Sequence, residues 1–248
     1  MKRLTTVIMA AGKGKRMKNP DKSKVMNELN EKPLIQYVIE LALSINSKMI
    51  IPVVGHQKQS VIDFLKSQFP EEINKIKFAH QDEQLGTGHA LMQTKELLED
   101  FDGDVLILSG DVPLLKIETL NSFLKFHNEN NFDSSLISAV FDNPSGYGRV
   151  LRDEKKSFYD IREEKDCSDD EKKCTEINSG IYIIDNKILF EALKTLKTDN
   201  AQGEYYLTDV FKYFKNSGKK IGAYPVKDVI EITGINTFDQ LEELKKVC

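Results

Sequence analysis

Residues 7–17 read Val-Ile-Met-Ala-Ala-Gly-Lys-Gly-Lys-Arg-Met, a short apolar run that feeds directly into glycines and cations. That order joins a strand to an anion-binding loop. Gly12 and Gly14 permit positive φ and let backbone N–H groups approach a phosphate without a Cβ in the way, while Lys13, Lys15 and Arg16 supply charge. The ligand this suits is a nucleotide or a sugar phosphate; the plain alternative is a glycine turn carrying solvated lysines. Two better-known glycine loops do not match. A Walker A loop would end in Gly-Lys-Ser/Thr, whereas Lys15-Arg16-Met17 follows Gly14. A dinucleotide fingerprint needs a small residue where Met17 stands and an acidic ribose anchor after the second strand, which here ends Val53-Val54-Gly55-His56.

Further candidates lie beyond other strand-like runs. Val105–Ser109 leads into Gly110-Asp111-Val112-Pro113, which sets a hard oxygen ligand at a strand end, as suits Mg²⁺. Asp111 equally fits a turn before Pro113. Gln84-Leu-Gly-Thr-Gly-His89 is a second glycine loop, in which Gly86 and Gly88 would bring backbone close to a flat or anionic ligand. The amide of Gln81 has the donor and acceptor to pair with a pyrimidine edge. Against this stands a simple helix entry capped by Thr87, with His89 packed. Lys24, on a polar stretch after the first loop, has the reach to fold over polyphosphate. Asn178, at the edge of an apolar strand, suits a sugar hydroxyl or acetamido group. Residues 200–209 form a polar and aromatic run. Thr237 and Gln240 make a Thr-x-x-Gln capping box, which leaves Asn236 free to offer an oxygen to a metal.

These residues need elements to hold them. Strand-like runs at Thr5–Met9, Met49–Val54, Lys77–His80, Val105–Ser109 and Leu136–Val140 alternate, through the first four, with segments of helical spacing marked by Leu34/Val38/Leu41, Val61/Leu65/Phe69, Ala90/Leu97 and Leu120/Phe123/His127. Alternation of this kind predicts an α/β fold, a mostly parallel sheet with helices on both faces and ligands beyond the strands' carboxyl ends. Arg152–Lys173, dense in charge, reads as a solvated hairpin or loop. A strand at Ile181–Ile184, helices near 186–196 and 207–214, strands near Ile221–Val226 and Val229–Ile232, and a final capped helix complete the chain.

With 248 residues, one α/β domain over 1–248 is expected. A net charge of −4 and a pI near 5.7 argue against a broad nucleic-acid surface. Cys167, Cys174 and Cys248 make no even disulfide framework and read as reduced bystanders. No apolar stretch approaches membrane-spanning length, and a cytoplasmic location without membrane insertion is expected.

Seven segments, taken in order, resemble the uridylyltransferase half of the bacterial bifunctional N-acetylglucosamine-1-phosphate uridylyltransferases and acetyltransferases. They are Ala10-Ala-Gly-Lys-Gly14, Gln84-Leu-Gly-Thr-Gly-His-Ala90, Gly110-Asp-Val-Pro-Leu114, Gly146-Tyr-Gly-Arg149, Glu176-Ile-Asn178, Asn200-Ala-Gln-Gly-Glu-Tyr-Tyr206 and Gly234-Ile-Asn236. The resemblance implies a Rossmann-like three-layer nucleotidyltransferase with a mixed, mostly parallel sheet, its nucleotide part near 1–115 and its sugar part near 116–248. It implies transfer of UMP from UTP to N-acetylglucosamine 1-phosphate, with Mg²⁺ and release of pyrophosphate. Met9, Ala10, Ala11, Gly12 and Gly14 would surround the nucleotide with Gln81, Gly86 and Thr87, and Ser109 and Gly110 would close that side. Arg16 and Lys24 would be catalytic, stabilising the phosphates. Gly148, Glu163 and Asn178 would hold the sugar, and Asp111 with Asn236 the metal; only the resemblance picks out Glu163. Ser109 stands where the family usually has Tyr, Lys15 replaces a common Thr, and Ser23 replaces a Pro. Loss of the ring would relax sugar choice, so the rival reading is the same chemistry on another hexose or hexosamine phosphate. A non-catalytic sugar-nucleotide-binding regulator is the reading from another class; an oxidoreductase already fails at Met17 and His56. The family's left-handed β-helix has no counterpart here, so a monomer or weak oligomer using an already acetylated sugar is expected.

Overall fold

A computed structural model describes residues 2–14, 16–17 and 22–246. Lys15 and Cys248, both singled out above, lie outside the described residues. The first strand, β1 (Leu4–Ala10), pairs in parallel with β4 (Ile50–Val54) on one side and with β6 (Asp104–Ser109) on the other. Between β1 and β4 come a two-residue hairpin, β2 (Glu28–Leu29) with β3 (Lys32–Pro33), and helix α1 (Leu34–Ser44). Helix α2 (Lys58–Gln68) leads to β5 (Ala79–His80), parallel to β4 at the sheet edge. All five β4 residues are buried, as expected of a parallel strand covered on both faces.

The expected third helix is split into α3 (Thr87–Met92) and α4 (Lys95–Leu98); α5 (Ile117–Glu129) follows β6 and leads to β7 (Ser134–Val140). The charged stretch contains an antiparallel hairpin, β8 (Arg149–Arg152) and β9 (Phe158–Arg162). β10 (Glu176–Asp185) runs antiparallel to both β6 and β7 and also pairs with β8, so it makes the main path across the sheet mixed. Helices α6 (Asn186–Leu193) and α7 (Asp209–Asn216), strand β11 (Ile221–Pro225, parallel to β7) and helix α8 (Phe238–Leu244) complete the order. The main path across the sheet is β11-β7-β10-β6-β1-β4-β5.

Side-chain alternation along the strands divides the core into two layers. Ile8, Leu106 and Leu108 pack with α1, α2 and α5 through Ile35, Leu65 and Phe123. Val7, Val105 and Ile107 face the other way, onto α3, α6 and α7 through Leu91, Leu189 and Phe211. The result is the expected helix, sheet, helix sandwich. A third cluster, Met17, Leu29, Leu34, Ile235, Leu241 and Leu244, ties the chain near Lys24 to the last helix.

One expected strand is not formed. Val229–Ile232 makes a 3-10 turn, because Asp228 accepts from the Ile230 amide at 3.3 Å and buried Glu231 turns inward to accept from the Lys116 amide at 3.1 Å. The capping box of α8 has both halves: Thr237 Oγ1 accepts from the Gln240 amide at 3.2 Å and Gln240 Oε1 from the Thr237 amide at 3.0 Å. Among the described residues no helix is long and apolar enough to cross a membrane. Cys167 and Cys174 are free thiols.

Candidate active site

The parallel strands β1, β4, β5 and β6 end at Ala10, Val54, His80 and Ser109, so the loops holding the predicted residues emerge along one edge. At the end of β1, Ala10 and Ala11 are buried, backbone included, and the chain comes to the surface at Gly12. Gly14 has φ +59°, and a Cβ there would lie 2.9 Å from Lys24 Cβ. Gly14 is thus the point where the first loop passes against the Lys24 segment. Gly12 needs no such allowance: its φ is not positive and a Cβ would meet open space.

Lys24 lies in a 3-10 turn (Lys24–Met26) whose Val25 is buried. Its ammonium donates to the Asp111 carboxylate and, at 2.8 Å, to Asn236 Oδ1. Arg16 reaches the same oxygen at 3.4 Å. Asp111 and the Gly234-Ile-Asn236 segment are joined by the backbone as well, since the Ile235 amide donates to the Asp111 carbonyl at 2.9 Å. A Cβ on Gly110 would come within 3.0 Å of both the Met9 carbonyl and Val25 Cγ1, so a larger residue there would push the strand end away from this corner. Four predicted residues, Arg16, Lys24, Asp111 and Asn236, are therefore brought together. The Asp111 carboxylate and Asn236 amide oxygen converge on one positive charge, a donor set of hard oxygens that fits Mg²⁺. Among the described residues no group of three or more His, Cys, Asp and Glu side chains forms a preformed metal cage.

The second glycine loop is built differently from expectation. The absent Cβ atoms of Gly86 and Gly88 face this chain's own 204–205 segment and Leu196, at 2.6 Å from the Tyr205 carbonyl and 2.4 Å from Leu196 Cδ1. Tyr205 N donates to the Leu85 carbonyl and Gly88 N to the Tyr205 carbonyl, each at 2.8 Å. Thr87 does not cap α3: the N-cap is Gly86, and Thr87 Oγ1 accepts from the Leu207 amide at 3.0 Å. The glycines thus admit the polar and aromatic 200–206 run, which is locked against the loop. Gln81, 3 % exposed, donates through its Nε2 to the Gly86 carbonyl at 3.0 Å and lies 3.2 Å from His89 Nδ1. These two partners hold its amide in one orientation.

The predicted sugar residues also meet. β10 shifts register between Asn178 and Tyr182, with Gly180 at φ +78°. There the Asn178 amide donates to the Gly148 carbonyl at 2.8 Å, and Asn178 Nδ2 donates to the Tyr182 hydroxyl at 2.7 Å. Glu163 follows β9 and is half-buried, which corrects its reading as part of a solvated stretch. It accepts from Thr208 Oγ1 at 2.8 Å, and its second carboxylate oxygen faces Gly148, 3.5 Å from where a Cβ would stand. Burial pushes the Glu163 carboxyl above its ordinary range, opposed by the Thr208 hydrogen bond and reinforced by Asp209 and Asp166. Burial likewise raises the Tyr147 and Tyr182 phenols. Ser109 faces Gly180, whose Cβ would stand 3.1 Å from Ser109 Oγ.

Comparison with known proteins follows this geometry. A profile of the nucleotidyl transferases matches residues 5–230. The chain belongs to the nucleotidyl transferase family. It is 44 % identical over 247 residues to "Bifunctional protein GlmU" of Caldanaerobacter subterraneus, and 43 % identical to the protein of that name from Acetivibrio thermocellus. All of this chain is covered in both cases but only 52 % of each relative, so the chain spans about half the length of the curated relatives it matches. The resemblance drawn from the seven motifs is borne out. Among solved structures, a UDP-glucose pyrophosphorylase complexed with UDP-glucose superposes with a TM-score of 0.79 at 20 % identity, covering 100 % of this chain and 98 % of that one. At that identity the likeness establishes the nucleotidyl transferase fold alone.

Several residues that hold or adjoin these side chains were not singled out from sequence. Thr208 and Tyr182 are buried partners of Glu163 and Asn178. Arg149, 2 % exposed, has its Nη1 2.7 Å from Glu164 and donates to the Tyr147 carbonyl. The Gly146-Tyr-Gly-Arg149 and Asn200–Asp209 runs were the available signals, but neither says which of its side chains turns inward.

Proposed function

We propose that this chain transfers UMP from UTP to N-acetylglucosamine 1-phosphate, releasing pyrophosphate, with Mg²⁺ as cofactor. The observation that carries the reading is the convergence of Arg16, Lys24, Asp111 and Asn236 at the edge of the sheet that also bears Gly148, Glu163 and Asn178. In this reading residues 1–115 supply most nucleotide contacts and 116–248 most sugar contacts. Met9, Ala10, Ala11, Gly12 and Gly14 surround the nucleotide, with Gly12 the exposed point of that run, while Gln81, preset by Gly86 and His89, reads the base edge and Thr87, Ser109 and Gly110 border it. Glu163 and Asn178 accept and donate to the sugar over the Cβ-free surface of Gly148. The sugar phosphate oxygen attacks the α-phosphorus as the bond to pyrophosphate breaks, and Arg16 and Lys24 take up the charge that accumulates on the leaving group. Asp111 and Asn236 would hold Mg²⁺, which neutralises phosphate charge when bound. The chain's work is positioning and charge compensation, with no covalent intermediate needed.

Incubation of the purified chain with UTP, Mg²⁺ and a panel of sugar 1-phosphates tests this. Turnover of N-acetylglucosamine 1-phosphate well above the other sugars is expected. Faster turnover of another sugar would shift the assignment to the rival substrate, for which the small Ser109 side chain facing Gly180 is the favouring observation. No pyrophosphate with any sugar would leave a binding protein in place of an enzyme.

A further inference from the structure

The ammonium of Lys24 stands where a cation held by Asp111 and Asn236 would stand. It donates to the Asp111 carboxylate and to Asn236 Oδ1 at 2.8 Å, and its side chain is 14 % exposed against 20 % for Asp111. A metal ion seated between these two oxygens would have to displace the ammonium, because both would occupy the same place and their charges repel. Lys24 is not a loose surface residue that drifts in. Its turn is anchored by buried Val25 and Ser23, Asn27 Nδ2 donates to its carbonyl at 2.8 Å, and the chain on either side packs on Ile235 and Leu241 through Met17 and Leu29.

We infer that Lys24 is a built-in cation that closes the metal site until nucleotide arrives. This rests on the metal assignment proposed above. Triphosphate offers the ammonium a stronger anionic partner than one carboxylate; once Lys24 turns to it, Asp111 and Asn236 are released. Metal and nucleotide then bind with positive coupling, and the coupling is reciprocal. The same movement delivers Lys24 to the phosphates at the moment the metal ligands become available. Without nucleotide, the two oxygens stay neutralised and resist adventitious divalent ions.

Mn²⁺ binding to the full chain without nucleotide, read by electron paramagnetic resonance, tests the inference with no dependence on turnover. Lys24→Met keeps the length of the side chain, removes the charge and adds no hard ligand; Lys24→Ala serves as a second variant should the first fold poorly. Both are expected to tighten nucleotide-free Mn²⁺ binding about tenfold or more, since a partly buried ion pair no longer competes. Lys22→Gln removes a cation that pairs with Glu28 at 2.9 Å and is expected to leave Mn²⁺ binding unchanged, which separates occlusion from general charge. Unchanged or weaker binding in both Lys24 variants overturns the gate, as does an equal gain in Lys22→Gln. Addition of Asp111→Asn to Lys24→Met is expected to abolish the gain. A gain that survives that change overturns the metal assignment itself.

Discussion

Replacing Gly86 by alanine should loosen the packing of the loop at 84–89 against residues 204–206. Gly86 has φ +109°, and an added Cβ would stand 2.6 Å from the Tyr205 carbonyl oxygen and 2.9 Å from both the Tyr205 nitrogen and Glu204 Cβ. Holding a non-glycine residue at such a φ costs about 1–3 kcal/mol. Overpacking against backbone adds about 1–3 kcal/mol more. The chain can escape by undocking residues 204–206 and giving up the hydrogen bonds from Tyr205 N to Leu85 and from Gly88 N to Tyr205, each worth about 1 kcal/mol net. That escape limits the loss to roughly 2–3 kcal/mol, still a sizeable part of a typical domain's stability. Gly203→Ala is the control, because Gly203 lies in the same run with φ +65° but has open space around its missing Cβ. There only backbone strain acts, at about 1–2 kcal/mol. Urea denaturation of the three proteins measures the difference, and amide exchange at Gly88 and Tyr205 reports whether the segment has come away. The Gly86 carbonyl also holds Gln81 Nε2 at 3.0 Å, so KM for UTP is expected to rise about tenfold in Gly86→Ala and little in Gly203→Ala. Equal stability losses in the two variants, with amide protection intact, would refute the steric argument.

Two further outcomes concern Glu163 and Asn178, the residues proposed to hold the sugar. Because burial raises the Glu163 carboxyl above its ordinary value of 4.5, its contribution to stability is present below that value and is lost as pH rises through the folded one. Glu163→Gln should therefore melt higher than the parent near pH 8 and level with it near about pH 4, while KM for the sugar phosphate rises; a lower melting temperature at pH 8 would contradict the buried-carboxylate account. Tyr182→Phe removes the acceptor of Asn178 Nδ2 and should cost about 1–2 kcal/mol in thermal unfolding while raising KM for the sugar more than KM for UTP. Equal effects on the two KM values would detach Asn178 from sugar binding.

The elements, and the sheet edge where the candidate residues gather, were legible in short stretches of sequence. The apolar run before Gly12, the helical spacing of Leu34, Val38 and Leu41 and the Thr237 capping box are written in residues a few positions apart, and each became the expected element. Where a local pattern was ambiguous, the nearest polar side chain decided, as Asp228 did in turning Val229–Ile232 into a 3-10 turn. What the glycines and charges meet was settled by long-range packing. Gly86 and Gly88 admit the chain's own Tyr205 segment, and one glutamate of a charged hairpin is drawn inward by a threonine 45 residues away. Lys24 reaches an amide 212 residues distant because Met17, Leu29, Ile235 and Leu241 share a small apolar cluster. Backbone periodicity is a short-range property, whereas the partner of a buried charge is fixed by which apolar surfaces close over it, and that is settled only when distant segments pack.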